Sequence, residues 1–560
     1  MKVAIEGCAH GELEKIYETL VFIEERERVK IDLLICCGDF QATRNIEDLK
    51  CMAVPRKYQS MCSFYKYYSG EKVAPVLTLF IGGNHEASNY LQELPYGGWV
   101  APKIYYVGYA GIVNVAGIRI AGLSGIYKGH DYMKGHFEKP PYTEETKRSV
   151  YHIRNLETFR LKQVQQPIDI FLSHDWPRGV HRFGDVQELI KNKPFLENDI
   201  NSDSLGSKPC EELLQDLKPS YWFSAHLHVK FSALIQHSDD LKNKQTKFLA
   251  LDKCLPRRKF LQIVDIPHDP QKAMELEYDL EWLTILFLTN HLLSVKKSVQ
   301  YMPGPGSNER WIFTPTDEEK DLVRRKFDSD LRIPGNFTQT VTPYNPEESS
   351  ANSPSFHQPS AQINPQTMVF CDRLGVDDPM TLLLEGSSGS MGLNSSQLSG
   401  CSPPSFLTPE KPGDITRVSM NDSTDLDDAG DIEEYYNNSA VSKRSSSNHL
   451  SNTMPMGRLS LALPSPQNSD LDEPQTKGFC EDVINSSKTQ SPTLPSPKDS
   501  EGEDVVGTGG EISSSKQSSQ EQVPSGTEDE VISETLESHP VVKRFKRRNQ
   551  EFYTSREEDC

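Results

Sequence analysis

The chain has 560 residues, of which 36% are hydrophobic, and it carries 80 acidic against 60 basic residues. Its mean hydropathy of −0.57 indicates that part of the chain builds no hydrophobic core, and its most apolar run, 282–295, is too short to span a membrane. Residues 341–560 hold 35 acidic and 16 basic residues, so the remainder is nearly neutral and an anionic ligand there is not excluded.

The first 260 residues alternate between predicted strands and helices. A short strand ends before Gly7, and Leu13, Ile16, Tyr17 and Leu20 then recur at helical spacing. Further strands are predicted at 32–37, 75–81, 113–115, 118–120, 168–172, 221–223, 232–235, 248–251 and 260–264. This mixture predicts an α/β fold in which two sheets pack together between flanking helices.

Helical periodicity continues in three later segments. Residues 143–166 predict one helix that buries Val150 and Ile153 and exposes Arg154. The runs 282–295 and 317–327 predict helices of a smaller domain. We therefore divide the chain into a first domain at 1–265, a C-terminal domain at 266–340 and a disordered acidic tail at 345–560 with a basic cluster at 543–548.

Polar clusters follow five of the predicted strands. They lie at 7–11, 38–39, 83–86, 173–175 and 225–228, and most contain a glycine that allows a sharp turn. Thiolate, imidazole, carboxylate and amide oxygen are all metal ligands, and this mixture favours Zn, Fe or Mn over Mg. A single histidine after a strand is more often structural, but five such clusters in one α/β domain indicate a metal site at a common crevice.

The order of these clusters resembles the calcineurin-like metallophosphoesterase pattern over about residues 1–235. The resemblance implies one or two divalent ions per site, Fe²⁺, Zn²⁺ or Mn²⁺. It implies metal ligands at Cys8, His10, Asp39, Asn84, His174, His226 and His228. It also implies that His85 is the general acid and that Glu86 orients it. Cys8 replaces the first aspartate of the pattern and Ala225 a glycine, and the thiolate favours Zn or Fe in its half of the site.

Cys8 and the segments 82–86 and 122–127 closely resemble those of lariat debranching enzymes. This resemblance implies a hydrolase that cleaves the 2′–5′ phosphodiester bond at the branch point of excised intron RNA, as part of mRNA processing. The insert at 124–154 is similar to the lariat recognition loop of that family. Its predicted RNA contacts are Tyr127, Lys128, His130, Tyr132, Lys134, His136, Phe137 and Lys139.

Several alternatives accompany these predictions. From composition alone, the insert is as well explained by a solvated loop with aromatic side chains packed beneath it. The same fold also serves protein and nucleotide phosphatases, or an inactive scaffold, although every ligand position here retains a donor. The basic cluster at 543–548 predicts a nuclear protein, with shuttling to the cytoplasm left open. The tail is a candidate contact for protein partners, and no membrane partner is expected.

Overall fold

The computed structural model describes residues 1–237, 244–347 and 357–388, so the predicted basic cluster at 543–548 and most of the predicted tail lie outside the described residues. Every strand predicted in the first 265 residues is confirmed, with small shifts at the ends. The strands are β1 Lys2–Glu6, β2 Leu33–Cys36, β3 Leu77–Phe80, β4 Gly98–Ala101, β5 Ile104–Tyr106, β6 Ala110–Val115, β7 Ile118–Leu123, β8 Ile170–Ser173, β9 Tyr221–Ser224, β10 Phe231–Gln236, β11 Gln245–Ala250, β12 Leu261–Asp265 and β13 Leu276–Tyr278.

The helices pack around these strands. The first one forms because Leu13, Ile16, Tyr17 and Leu20 share one buried face, and it ends where Arg28 adopts a left-handed conformation. Among the described helices, none combines the length and apolarity that a bilayer crossing needs. The helices are α1 Leu13–Glu27, α2 Ile46–Leu49, α3 Phe64–Tyr68, α4 Ser88–Leu91, α5 Gly129–Tyr132, α6 Glu144–Ser149, α7 Asn155–Leu161, α8 Val186–Asn192, α9 Glu197–Asn201, α10 Lys208–Leu217, α11 Leu280–Leu288, α12 Asp317–Lys326, α13 Pro365–Leu374 and α14 Pro379–Ser388.

Two mixed sheets form the centre of the fold. The first has the strand order β12-β1-β2-β3-β5-β4, in which β1, β2, β3 and β5 are parallel. The second has the order β10-β11-β9-β8-β7-β6-β13, in which β11, β9, β8 and β7 are parallel. Within each sheet the parallel strands end at a common edge, and the loops that follow them lie side by side there.

The sheets pack face to face. Val3 and Ile5 share a hydrophobic cluster with Ile170 and Leu172 of the other sheet, whereas Ala4 lies in a cluster with α1. This division arises because successive side chains of a strand point to opposite faces of the sheet. The outer face of the second sheet packs against α10, α11, α12 and α13. The predicted α/β fold with two packed sheets and flanking helices is therefore confirmed.

The single helix predicted at 143–166 is wrong. Helices α6 and α7 occupy its two ends, and the chain between them pairs with Ile126, whose amide donates to the carbonyl of Tyr151 at 3.3 Å and whose carbonyl accepts from Ile153 at 2.9 Å. This long-range pairing overrides the local periodicity. Arg154, predicted to be exposed, is buried, and its guanidinium donates to Glu138 at 2.6 Å.

Ordered structure also extends beyond the predicted start of the tail. Helix α13 begins after Asn364, whose side chain accepts from the amide of Gln366, and ends at Gly375 with a φ of 81°. Phe370 and Leu374 lie in the same hydrophobic cluster as α11 and α12. The prediction of disorder from residue 345 is therefore wrong for 357–388, because packing against the second sheet supplies a core there. The division into domains at residue 265 stays a prediction.

Candidate metal centre

The loops that follow the parallel strands of both sheets meet at one point. In the first sheet, β1 leads to Cys8, β2 to Asp39 and β3 to Asn84. In the second sheet, β8 leads to His174 and β9 to His226. The amide of His226 donates to Sγ of Cys8 at 3.2 Å and so joins the loops of the two sheets directly.

Two glycines allow these loops to approach each other. Gly38 has a φ of 106°, and a Cβ placed on it would lie 2.3 Å from Nδ1 of His174. A Cβ on Gly83 would lie 2.3 Å from Oδ1 of Asp39. A side chain at position 38 would displace His174, and one at position 83 would displace Asp39, because such distances are shorter than van der Waals contact.

Four of the predicted ligands have left-handed backbone conformations. The φ angles are 46° at His10, 47° at Asp39, 61° at His226 and 49° at His228. Each such residue costs about 1–2 kcal/mol relative to an ordinary conformation, and strain of this kind concentrates at functional sites. The surrounding hydrogen bonds and packing therefore hold these side chains in positions that the backbone alone disfavours.

One group of donors, the first half-site, consists of Cys8, His10, Asp39 and His228. All four donor atoms lie within 4.8 Å of one another, a separation that allows one metal ion to contact all of them. Nε2 of His10 is 3.2 Å from Nε2 of His228 and 3.6 Å from Oδ2 of Asp39. The thiol of Cys8 is fully buried.

A second group, the second half-site, uses the other carboxylate oxygen. Nε2 of His174 lies 3.3 Å from Oδ1 of Asp39 and 3.2 Å from Oδ1 of Asn84. The ring of His226 is centred 4.9 Å from that of His174. Asp39 thus directs one oxygen to each half-site, which is the arrangement of a carboxylate that bridges two ions.

Burial and mutual charges shift the titration of these groups. Burial, together with the charges of Asp39 and Glu6, raises the pKa of the Cys8 thiol well above its ordinary value. Burial opposes ionisation of Asp39, but the charges of His174 and His85 outweigh it and hold the pKa of Asp39 well below its usual range. A cation in the first half-site would have to displace the thiol proton, so its binding is expected to release protons.

The orientation of His174 suits a cation. Nδ1 of its ring lies 2.8 Å from the carbonyl oxygen of Cys37, so this nitrogen must carry a proton and donate. Nε2 then faces two oxygens, those of Asp39 and Asn84. Nε2 and the two oxygens are all electron-rich, so either a proton or a metal ion must lie between them. An imidazole whose other nitrogen donates to a backbone carbonyl is a common metal ligand. The donor set therefore fits divalent metal ions.

Glu86 does not orient His85, contrary to the prediction. Its buried carboxylate accepts from three backbone amides, those of Phe40 at 2.8 Å, Gln41 at 2.8 Å and Gly83 at 2.9 Å. Burial and the charge of Asp39 raise the pKa of Glu86 to about 7 despite these donors. The carboxylate holds together the loop that carries Asp39 and the loop that carries Asn84.

His85 lies at the edge of the centre. Its amide donates to Oδ1 of Asp39 at 2.9 Å, and Nδ1 of its ring is 4.0 Å from Oδ2 of the same carboxylate. About a quarter of its side chain is exposed, and it is not one of the four clustered donors of the first half-site. Asp39 is therefore the group that positions His85.

The insert at 124–154 is anchored to the second half-site. The amide of Tyr127 donates to Oδ2 of Asp175 at 2.9 Å, and Oδ1 of Asp175 lies 3.9 Å from Nε2 of His226. The amide of Gly125 donates to the carbonyl of Gly82 at 2.8 Å. Asp175 has no predicted role, although its position directly after His174 at a strand end is a signal for one.

The predicted RNA contacts differ in exposure. His130 is largely exposed, whereas Tyr127, Lys128, Tyr132, Lys134, Phe137 and Lys139 are half-buried. His136 is buried, stacks on Tyr109 and lies 2.9 Å from Glu157, so it has no surface to offer RNA in this conformation. The alternative of packed aromatic side chains therefore describes His136 better.

His130, Asp131 and His152 form a further cluster of potential metal donors within the insert. Nδ1 of His152 lies 2.7 Å from Oδ2 of Asp131, which is a hydrogen-bond length, and Lys134 donates to the other oxygen at 2.6 Å. Because a cationic ammonium group already holds the carboxylate, this cluster is an ion-pair network that stabilises the insert.

Two family models match the chain. One, described as calcineurin-like phosphoesterase, matches residues 1–230. The other, described as the C-terminal domain of lariat debranching enzyme, matches residues 243–379 and so includes α13. The first match contains both half-sites and the insert, and it supports divalent metal ions at the centre.

Curated proteins from animals and plants are similar over most of the described chain. A protein of Drosophila pseudoobscura pseudoobscura named lariat debranching enzyme is 54% identical over 73% of this chain and 85% of its own length. The Homo sapiens protein of the same name is 56% identical over 68% of this chain and 70% of its own length. The Arabidopsis thaliana protein of that name is 48% identical over 67% of this chain and 86% of its own length.

Proposed function

The chain belongs to the lariat debranching enzymes, and from that relationship we propose that it hydrolyses the 2′–5′ phosphodiester bond at the branch point of excised intron RNA. The observation that carries the proposal is the arrangement of seven donors in two half-sites that share Asp39. Such a pair of half-sites suits in-line displacement at phosphorus, in which an attacking and a leaving oxygen must both be stabilised.

We assign the metal ligands as the sequence predicts. The first half-site would hold one ion and the second half-site another, with Asp39 shared between them. When bound, divalent ions supply Lewis-acid activation of water and cancel charge on the phosphate. The ligand set is Cys8, His10, Asp39, Asn84, His174, His226 and His228.

The remaining steps involve the attacking water and side chains of the protein. The water oxygen forms a bond to phosphorus and loses a proton to the solvent, while the bond from phosphorus to the 2′ oxygen breaks. His85, positioned by Asp39 through its backbone amide, donates a proton to the departing 2′ oxygen. The products are a linear RNA with a free 2′ hydroxyl at the former branch and a 5′ phosphate on the released end. Glu86 contributes by fixing the loop of Asp39.

The metal in the first half-site is proposed to be Fe²⁺ or Zn²⁺. A buried thiolate is a soft ligand, which favours these ions over Mg²⁺, whereas the imidazole, amide and carboxylate donors of the second half-site also accept Mn²⁺. Metal analysis of the purified chain tests the assignment. Replacement of Cys8 by Asp should shift the preference toward Mn²⁺, and an unchanged preference would contradict the role of the thiolate.

Binding of the RNA around the branch is assigned to the insert. Tyr127 is anchored beside the second half-site, and its ring contacts that of Tyr132 at 5.4 Å. Lys134 and Lys297 lie 5.9 and 5.4 Å from the ring of Phe137, which places cations next to an aromatic surface. Bases that stack on such rings and phosphates that meet such cations are typical of single-stranded RNA recognition.

The tail suggests where the enzyme acts. We propose that the basic cluster at 543–548 directs the chain to the nucleus and that the acidic tail contacts protein partners. Microscopy of the full chain and of a variant with neutral residues at 543–548 tests the first point. Equal nuclear accumulation of both would contradict it.

Substrate comparison separates this function from its alternatives. Metal-loaded full chain is incubated with branched RNA, with a phosphopeptide and with a nucleotide monophosphate. We expect cleavage of branched RNA alone, with a 2′ hydroxyl at the branch. Phosphate release only from the peptide or the nucleotide would indicate a phosphatase, and absence of turnover with metal bound would indicate a scaffold.

A further inference from the structure

A group of cationic residues lies next to the first half-site and has no part in the mechanism above. Residues 252–259 contain four basic side chains and a single acidic one, and they connect β11 of the second sheet to β12 of the first. Lys230 follows His228 by two residues, and its Nζ donates at 2.5 Å to Oε1 of Gln262, which lies three residues beyond this segment. We call these five cations the basic rim: Lys230, Lys253, Arg257, Arg258 and Lys259.

Backbone hydrogen bonds tie the basic rim to the loop that carries Cys8. The amide of Gly7 donates to the carbonyl of Phe260 at 3.0 Å, and the amide of Cys254 donates to the carbonyl of Cys8 at 3.0 Å. A Cβ on Gly7 would lie 2.2 Å from the carbonyl oxygen of Asp252, so the two segments are in close contact. The rim is thus held at a fixed position relative to the first half-site.

The cations of the basic rim lie beside ligands of the first half-site. The backbones of Lys253 and Cys8 form an isolated parallel bridge, and Lys230 is two residues from His228. Arg257 and Lys259 are exposed. Exposed cations clustered beside such a centre are typical of surfaces that bind phosphates.

The basic rim and the insert contact different parts of the centre. The insert is bonded to Gly82 and Asp175, in the loops of the second half-site, whereas the rim is bonded to the loop of the first half-site. A branched RNA leaves its branch point in three directions, since the branch nucleotide carries a 2′, a 3′ and a 5′ linkage. An insert bonded only to the loops of the second half-site leaves the loop of the first half-site as a path for another RNA arm.

We propose that the basic rim binds the backbone phosphates of one RNA arm as it leaves the branch point. This inference rests on the proposed debranching function and extends it, because it assigns a contact outside the insert and away from the scissile phosphate. The contacts are with phosphates rather than bases, so they add affinity without sequence preference.

The test replaces the two exposed cations of the basic rim in the metal-loaded full chain, as Arg257→Gln with Lys259→Gln. The matched control is Lys103→Gln with Lys272→Gln. These control residues are also exposed cations. Lys103 directly precedes β5, and Lys272 lies against Gly117, which directly precedes β7, so both are at the opposite edge of the sheets from the centre. Lys103 and Arg257 share a left-handed backbone, with φ angles of 63° and 67°, so strain is similar in the two variants.

KM is measured at several salt concentrations for a three-armed branched RNA and for a 2′–5′ linked dinucleotide without arms. For the rim variant we expect KM of the armed RNA to rise on the order of tenfold at low salt. The slope of log KM against log salt concentration should become shallower by about 1.4, because two phosphate contacts are lost. KM of the dinucleotide should change far less, and the control should match the wild type.

An armed-RNA KM and salt dependence equal to those of the wild type would overturn the inference. So would equal rises for both substrates, because the rim would then act on the scissile phosphate. Either result leaves the debranching function intact as long as the wild type cleaves branched RNA, and only failure of the wild type to cleave it would remove that function.

Discussion

Replacement of Glu86 by glutamine tests whether this residue organises the metal centre. The carboxylate accepts two amides on Oε1 and one on Oε2. Glutamine keeps one acceptor oxygen and presents an amino group where the other oxygen was, directed at the amide of Gln41. One hydrogen bond to a charged group is lost and two donors face each other, which together cost about 2–4 kcal/mol.

The substitution should also weaken metal binding, because the lost hydrogen bond fixes the loop that carries Asp39. Replacement of a group that orients a metal ligand commonly weakens metal binding by about 10- to 100-fold. We expect Glu86→Gln to unfold at lower urea as metal-free protein and to bind metal more weakly in competition with a chelator. Both measurements are made near pH 8, above the pKa of about 7 for Glu86, so that the wild-type carboxylate is ionised.

Glu281→Gln is the matched control. Glu281 is also a buried carboxylate, and it accepts from the amide of Gln165 at 2.9 Å and from Arg119 at 2.9 Å, but it lies on α11, outside the loops of the centre. It should lose comparable stability while retaining wild-type metal affinity. Metal binding that is unchanged in Glu86→Gln, or weakened equally in Glu281→Gln, would refute the proposed role.

Three further predictions use the same protein. His85→Ala should retain its metal in elemental analysis and slow cleavage of branched RNA by about 10²- to 10⁴-fold, as expected for loss of a general acid, and unchanged turnover would rule out that role. Asp39→Ala and His174→Ala should each contain less metal than the wild type, and equal metal content would contradict their assignment as ligands. Asp131→Asn should lower the free energy of unfolding by about 3 kcal/mol at neutral pH, since it leaves His152 and Lys134 without their buried partner. Burial opposes ionisation of Asp131, but hydrogen bonds from His152 and Lys134 outweigh it and hold its pKa below the ordinary value, so this stabilisation is present above about pH 3.9 and is lost as the pH falls toward the folded pKa. The difference between wild type and Asp131→Asn in urea unfolding should therefore shrink in acid, and a constant difference from neutral pH to about pH 2 would contradict the ion-pair account.

The position of the metal centre could be predicted because its signals are local. A strand, a glycine and a donor such as Asp39 or His174 stand next to one another in the sequence, and parallel strands bring such loops to a common edge. The role of Glu86 could not be predicted in this way. It depends on which backbone amides converge on the carboxylate, and these come from residues distant in sequence.

The errors in the insert and the tail have different physical causes. The helix at 143–166 breaks because Ile126 pairs with the chain beside His152, a contact that periodicity does not encode. Helix α13 has local signals, with Asn364 at its start and Gly375 at its end, but its surroundings are rich in Ser and Pro. The composition of this segment therefore does not predict the helix, whose stability comes from packing against the second sheet.

We propose that metal held by both half-sites is required to break the 2′–5′ bond. Metal-free full chain is titrated with Fe²⁺, Zn²⁺ or Mn²⁺ while bound metal and cleavage of branched RNA are followed in the same samples. We expect both to rise together in the wild type and neither to reach the wild-type level in Asp39→Ala. Full cleavage without bound metal, or saturation with each metal without cleavage, would contradict the account.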